Sequence, residues 1–175
     1  MTDGFVAFGS QAYMLWLGLL TLGRGLDLFS TWLATPNLEL EANPIARRLG
    51  WRGGLIVNLL LVSALAAWPF SALMVSTTSL LVAARNFQSA WLMRTMGEHA
   101  YMIWMSDQVA RTPPGRFFFC LAVQTLTYAG LGLGLAVGAW DELIPVGIGC
   151  GMAAYGIALF VYSGLSVWRV WRRRV

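Results

Sequence analysis

The side chains that could do chemistry are few, and they gather in the first half of the chain. Arg24 and Asp27 stand three residues apart, so a helix would put them on one face, with Ser30 and Thr31 continuing near it. Glu39, Glu41, Asn43 and Pro44 follow in a polar stretch, then Asn58 near the start of the next apolar run. Arg85, Asn86 and Gln88 close the set. Ionisable groups inside apolar segments are costly and face a partner or a cavity. Two readings stand. In the structural one, Asp27 pairs with Arg24 or Arg85 and the amides tie helices together. In the functional one, Asp27, Thr31, Glu41, Asn43, Pro44, Asn58, Arg85 and Asn86 line a polar pocket for an ion, a lipid headgroup or a substrate.

More familiar chemistries find little to work with. Metal-assisted hydrolysis usually needs histidine beside carboxylates, and the single histidine, His99, reads as incidental. Asp27, Glu39 and Glu41 could offer oxygen to Mg²⁺ or Ca²⁺, but without a dedicated ligand spacing. There is no glycine-rich phosphate loop, no Ser-His-Asp set and no haem-attachment motif, and Glu39 and Glu41 are not the adjacent glutamate pair of intramembrane CAAX-type proteases. No metal or other cofactor is expected. Cys120 and Cys150 lie in different apolar runs without a CxxC and read as small packing residues.

The elements that must position these groups are membrane spans. The chain is 58% hydrophobic and 11% charged, against about 25% charged in a soluble domain. A helix crossing the hydrocarbon core needs roughly 20 apolar residues. Trp16, Trp32, Trp51, Trp68, Trp91, Trp140, Trp168 and Trp171 each sit near one end of an apolar run, where an indole finds the water–hydrocarbon boundary. Five spans follow, at 13–34, 52–68, 71–93, 117–139 and 143–168. They predict an all-α polytopic helix bundle, a single transmembrane domain over residues 1–175 with neither a soluble domain nor a cleavable leader.

All twelve basic residues are arginine, and the net charge is +4. Their positions point to membrane topology rather than to nucleic acid. Arg47, Arg48 and Arg52 follow the first span, Arg94, Arg111 and Arg116 the third, and Arg169, Arg172, Arg173 and Arg174 the last. Asp3, the Trp68-Pro69 turn and Asp141-Glu142 fall on the opposite side. Basic residues accumulate in cytoplasmic loops, so the N-terminus is expected outside and the C-terminus in the cytoplasm.

Residues 53–84 form one apolar stretch that would reach about 48 Å as a single helix, well past a core of about 30 Å. It must turn. Trp68-Pro69 is the preferred turn, because proline cannot continue the hydrogen-bond ladder. The rival, the Ser76–Ser79 run, would push Arg85, Asn86 and Gln88 to mid-membrane. Asn43-Pro44 predicts a helix start, with asparagine capping and proline in the first turn. Residues 94–112 predict an amphipathic interfacial helix or an extension of span three, with Arg94 and Glu98 at pairing distance.

An aspartate followed four residues later by threonine, Asp27 and Thr31, and then Glu41-Ala42-Asn43-Pro44 with Asn58 beyond, resembles a small prokaryotic membrane-protein family of unknown function with an Asp-x3-Thr, Glu-x-Asn-Pro pattern. The resemblance covers roughly residues 20–90. It implies that Asp27, Thr31, Glu41, Asn43 and Pro44 form a site, and it implies no activity. Spans four and five lie outside it.

Those last spans carry small residues at helical spacing: Gly130, Gly134 and Gly138, then Gly147 and Gly151. Such stripes let backbones approach closely in lipid. They predict either the hairpin between spans four and five or contacts with another subunit. The leading expectation is a non-enzymatic accessory, assembly or scaffold protein of the prokaryotic inner membrane. Its partners would be lipid and other membrane subunits or copies of itself. A small transporter or an ion- or lipid-binding protein is the alternative, and an intramembrane enzyme stands third.

Overall fold

The computed structural model describes residues 4–41 and 43–172, the Arg169 side chain apart. Asp3, Ala42, Arg173 and Arg174 lie outside the described residues. The described chain is all-α: α1 (Gln11–Ala34), α2 (Pro44–Leu65), α3 (Pro69–Met96), α4 (Glu98–Arg111), α5 (Pro114–Gly138) and α6 (Leu143–Arg172). Among the described residues, α2, α5 and α6 are long and apolar enough to cross a membrane. With 24 and 28 residues, α1 and α3 have the length; they carry the polar groups of the candidate site.

Local chemistry sets most boundaries. The Ser10 hydroxyl caps α1 by accepting the Tyr13 N–H. The Asn43 side chain accepts the Ile45 N–H with Pro44 in the first turn of α2, as its type and position predict. α2 ends at Leu65 and α3 begins at Pro69, so the apolar stretch turns at Trp68-Pro69 and runs unbroken through the Ser76–Ser79 segment. The expected span 52–68 starts earlier, at Pro44, because a short helical segment is joined to it across Gly50, whose φ of 63° breaks the regular geometry. Gly97, at φ 80°, separates α4 from α3. Of the expected segment 94–112, residues 94–96 end α3 and Glu98–Arg111 form a helix of their own rather than an extension.

α3 is the centre of the bundle, packed between α1 and α6, with α5 on the far face of α6. α2 touches α1 and α3 only sparsely. α4 crosses one end: Glu98 at its start meets the α1–α2 loop, and the Trp171 indole of α6 donates to the Val109 carbonyl near its end. The α1–α3 contact is made by small side chains. A Cβ on Gly23 would stand 3.1 Å from the Ser76 Cα, and Ser30, Ala72, Ser76, Ser79 and Ala83 are buried along the seam.

The glycines of α5 and α6 need a correction. Among the described residues, nothing lies within 4 Å of a would-be Cβ on Gly130, Gly134 or Gly138, so the hairpin does not close on these three. The hairpin closes through Gly132 and Gly149, each facing the other's carbonyl oxygen, and through Gly156 against Thr125 and Ala129. Gly147 and Gly151 pack on α3 instead, beside Leu73 and Met74–Thr77. The cause is helical rotation. At about 100° per residue, Gly132 points away from a stripe two residues to either side, and residues 147 and 151 point away from 149, 153 and 156.

Candidate functional site

Arg24 is the hub of the polar cluster between α1, α2 and α3. Its Nη1 donates to Asp27 Oδ2 at 2.6 Å and to Ser79 Oγ at 3.1 Å, and its Nε donates to Asn58 Oδ1 at 2.7 Å. One guanidinium thus joins three helices. The i,i+3 spacing brings the aspartate onto the arginine's own face, and the small seam at Gly23 lets Ser79 come within reach. Asn58 is held in turn, its amide donating to the Gly54 carbonyl at 2.8 Å. Side-chain exposure is 26% for Arg24 and 15% for Asp27, so the pair is largely enclosed. In a low-dielectric setting a charge-assisted pair of this kind is strong, and leaving either charge alone is costly.

A second link lies further along α1. Asn86 of α3 donates to Ser30 Oγ and Thr31 Oγ1, both at 3.2 Å, while the Ser30 hydroxyl donates to the Asp27 carbonyl at 2.9 Å. Asp27, Thr31, Asn58 and Asn86 are therefore one connected constellation around Arg24. Glu41 borders it and acts on Asp27 as a like charge, but its carboxylate accepts the Asn43 N–H at 2.8 Å. Asn43 and Pro44 serve the start of α2.

Arg85 does not belong to the constellation. It donates to Ser163 Oγ on α6 at 3.2 Å, because one residue of helix turns it about 100° from Asn86. Among the described residues no three His, Cys, Asp or Glu side chains gather as a metal site, so the oxygen-ligand reading of Asp27, Glu39 and Glu41 lacks its set.

Two polar contacts are not evident from the sequence. Ser79 stands in a run that reads as a possible turn, and its only signal is the small-residue spacing Ala72, Ser76, Ser79, Ala83. Glu98 stands four residues from Arg94, yet that pair is not made: the Arg94 guanidinium lies over the Trp32 ring, 5.7 Å from its centroid. Glu98 is buried and faces the loop after α1. It accepts the Thr35 hydroxyl, the Asn37 N–H at 2.7 Å and the Glu39 N–H at 2.9 Å. Burial pushes its carboxyl up, but these hydrogen bonds outweigh burial and hold it below the ordinary value of 4.5. The loop is thus fastened by the first residue of α4 and by the Trp51 indole, which donates to the Pro36 carbonyl at 2.7 Å.

Compared with family models, with curated proteins and with solved structures, the chain finds no match in any of the three.

Proposed function

We propose that the chain is a non-enzymatic scaffold or assembly subunit embedded in a prokaryotic cytoplasmic membrane. In this reading α1, α2, α3, α5 and α6 are five spans, with the N-terminus outside and the C-terminus in the cytoplasm. Helices α1 and α3 can lie among the spans because Arg24, Asp27, Ser79 and Asn86 face partners within the bundle rather than lipid. The single observation that carries the scaffold role is the outward stripe of Gly130, Gly134 and Gly138 on α5, where nothing among the described residues comes within 4 Å of a would-be Cβ. The opposite face of the same helix is already engaged through Gly132. A glycine face turned away from the protein's own core suits close approach by another helix.

The alternative, a small transporter or an ion- or lipid-binding protein, draws on a different observation. α2 packs sparsely, and its Asn58–Arg24 hydrogen bond is a polar link into the Asp27 constellation. The likeness to an Asp-x3-Thr, Glu-x-Asn-Pro membrane family is kept as part of the proposal for Asp27, Thr31, Glu41, Asn43 and Pro44.

One experiment separates the two: purification in mild detergent with native mass spectrometry of wild type, Gly134→Leu and Asp27→Asn. A scaffold loses its bound subunits, or its own dimer, in Gly134→Leu with unchanged monomer stability, and keeps them in Asp27→Asn. A binder carries a small molecule that Asp27→Asn releases. Wild type and Gly134→Leu that are both monomeric and alone refute the scaffold reading.

A further inference from the structure

Helix α2 does not begin as a straight span. Gly50 has φ 63° and ψ −175°, a conformation open in practice only to glycine. Residues 44–49 therefore form a short helical foot set off from the body of α2. The foot carries apolar and cationic side chains together. Ile45 and Leu49, one helical turn apart, are 67% and 42% exposed; Arg47 is exposed on the opposite side from Ile45, and Arg48 is exposed beside it. Arg52 stands just past the break and is also exposed. Trp51, between them, is pinned to the Pro36 carbonyl, so the foot is held level with the α1–α2 loop at the end of the bundle that α4 crosses.

The arginines of the foot differ from several others in the chain. Arg24 is paired with Asp27, Arg111 with Asp107 at 2.8 Å, and Arg94 lies over Trp32. Among the described residues Arg47, Arg48 and Arg52 have no carboxylate partner. The nearest acid in sequence, Glu41, turns to the Asn43 N–H, and Glu39 is exposed on the loop. Three free guanidinium groups thus stand beside two bare aliphatic side chains.

We propose that residues 44–52 lie in the headgroup layer of the membrane and bind anionic phospholipid, with Ile45 and Leu49 at the acyl boundary and Arg47, Arg48 and Arg52 on the phosphates. The inference rests on the membrane reading above but is independent of the scaffold role. Apolar and cationic groups on one short element need a partner that is apolar and anionic at adjacent depths, and the edge of an anionic leaflet is such a partner. A nucleic acid would answer the charge and leave Ile45 and Leu49 in water. Each arginine at an anionic surface strengthens association about fivefold, so three give a preference on the order of 100-fold, screened by salt.

The full chain is reconstituted into nanodiscs of equal phosphatidylcholine and phosphatidylglycerol, and the lipids retained on the protein are counted by native mass spectrometry. Wild type should retain phosphatidylglycerol preferentially. Arg47→Gln with Arg48→Gln and Arg52→Gln should lose most of that preference, whereas Arg85→Gln should keep it. A salt series on the wild type needs no variant, and the preference should fall as ionic strength rises. A preference that survives the triple substitution, or that ignores salt, overturns the proposal. Carbonate washing tells the two failures apart. A chain washed off the membrane overturns the membrane reading and this one with it; a retained chain with no preference for phosphatidylglycerol overturns this one alone.

Discussion

Replacing Gly132 with alanine should loosen the α5–α6 hairpin, while the same replacement two residues on, at Gly134, should not. A Cβ on Gly132 would lie 2.8 Å from the Ala153 nitrogen and 2.9 Å from the Met152 Cβ, and would also run into the Gly149 carbonyl oxygen. Two of these three obstacles are backbone atoms, so no side-chain rotation relieves the clash. The helices must part by roughly 0.5–1 Å, which forfeits a quarter to a half of each close contact along the seam. Overpacking of this kind costs about 1–3 kcal/mol. Alanine also favours helix over glycine by about 0.5–1 kcal/mol, but that gain is common to both variants and cancels in their difference. For a chain of this length each kcal/mol moves the melting temperature roughly 2–4 °C. Gly132→Ala should therefore melt roughly 2–12 °C below Gly134→Ala. The assay is thermal unfolding of the detergent-solubilised monomer followed by tryptophan fluorescence. Equal melting temperatures, or a lower one for Gly134→Ala, would refute the assignment of the hairpin seam.

The ion pair supplies the next test: Asp27→Leu strands the Arg24 guanidinium with only Asn58 and Ser79 and should cost about 3–5 kcal/mol, much of which Arg24→Met should recover in the double variant. A denaturant titration of the full double-mutant cycle measures the coupling, and independent, additive effects would contradict it. Glu98→Gln leaves one oxygen where the carboxylate offered two, so the N–H of Asn37 or Glu39 loses its acceptor at about 0.5–1.5 kcal/mol; faster hydrogen exchange at those two amides is the readout. Because the folded carboxyl sits below its ordinary 4.5, its stabilisation is complete above that pH and disappears as pH falls through the depressed value; loop protection that fades already between pH 7 and 5 would contradict this. For orientation, Asp141→Cys and Arg172→Cys are placed singly in a background without Cys120 and Cys150. An impermeant thiol reagent added outside should label position 141 and spare 172, and labelling of 141 only from the cytoplasmic side defeats the N-out arrangement.

Helix starts and stops were the legible part of this chain, because they are decided within a few residues. Asn43 caps and Pro44 initiates α2; Pro69 starts α3. Each follows from backbone chemistry that needs no distant neighbour. The polar constellation was legible in part for the same reason: Arg24 and Asp27 share a face by spacing alone, and groups that cannot face lipid must face each other.

What the tertiary structure alone decided is which helix each face meets. Asn86 turns to α1 and Arg85, one residue earlier, to α6. Gly132 closes the hairpin while the more regular Gly130, Gly134 and Gly138 series looks outward. Glu98 passes over its sequence neighbour Arg94 to fasten a loop some sixty residues away. A residue repeat states only that side chains share a face. With side chains advancing about 100° per residue, the rotation of each helix about its axis settles what that face touches, and that rotation is set by how six helices pack together.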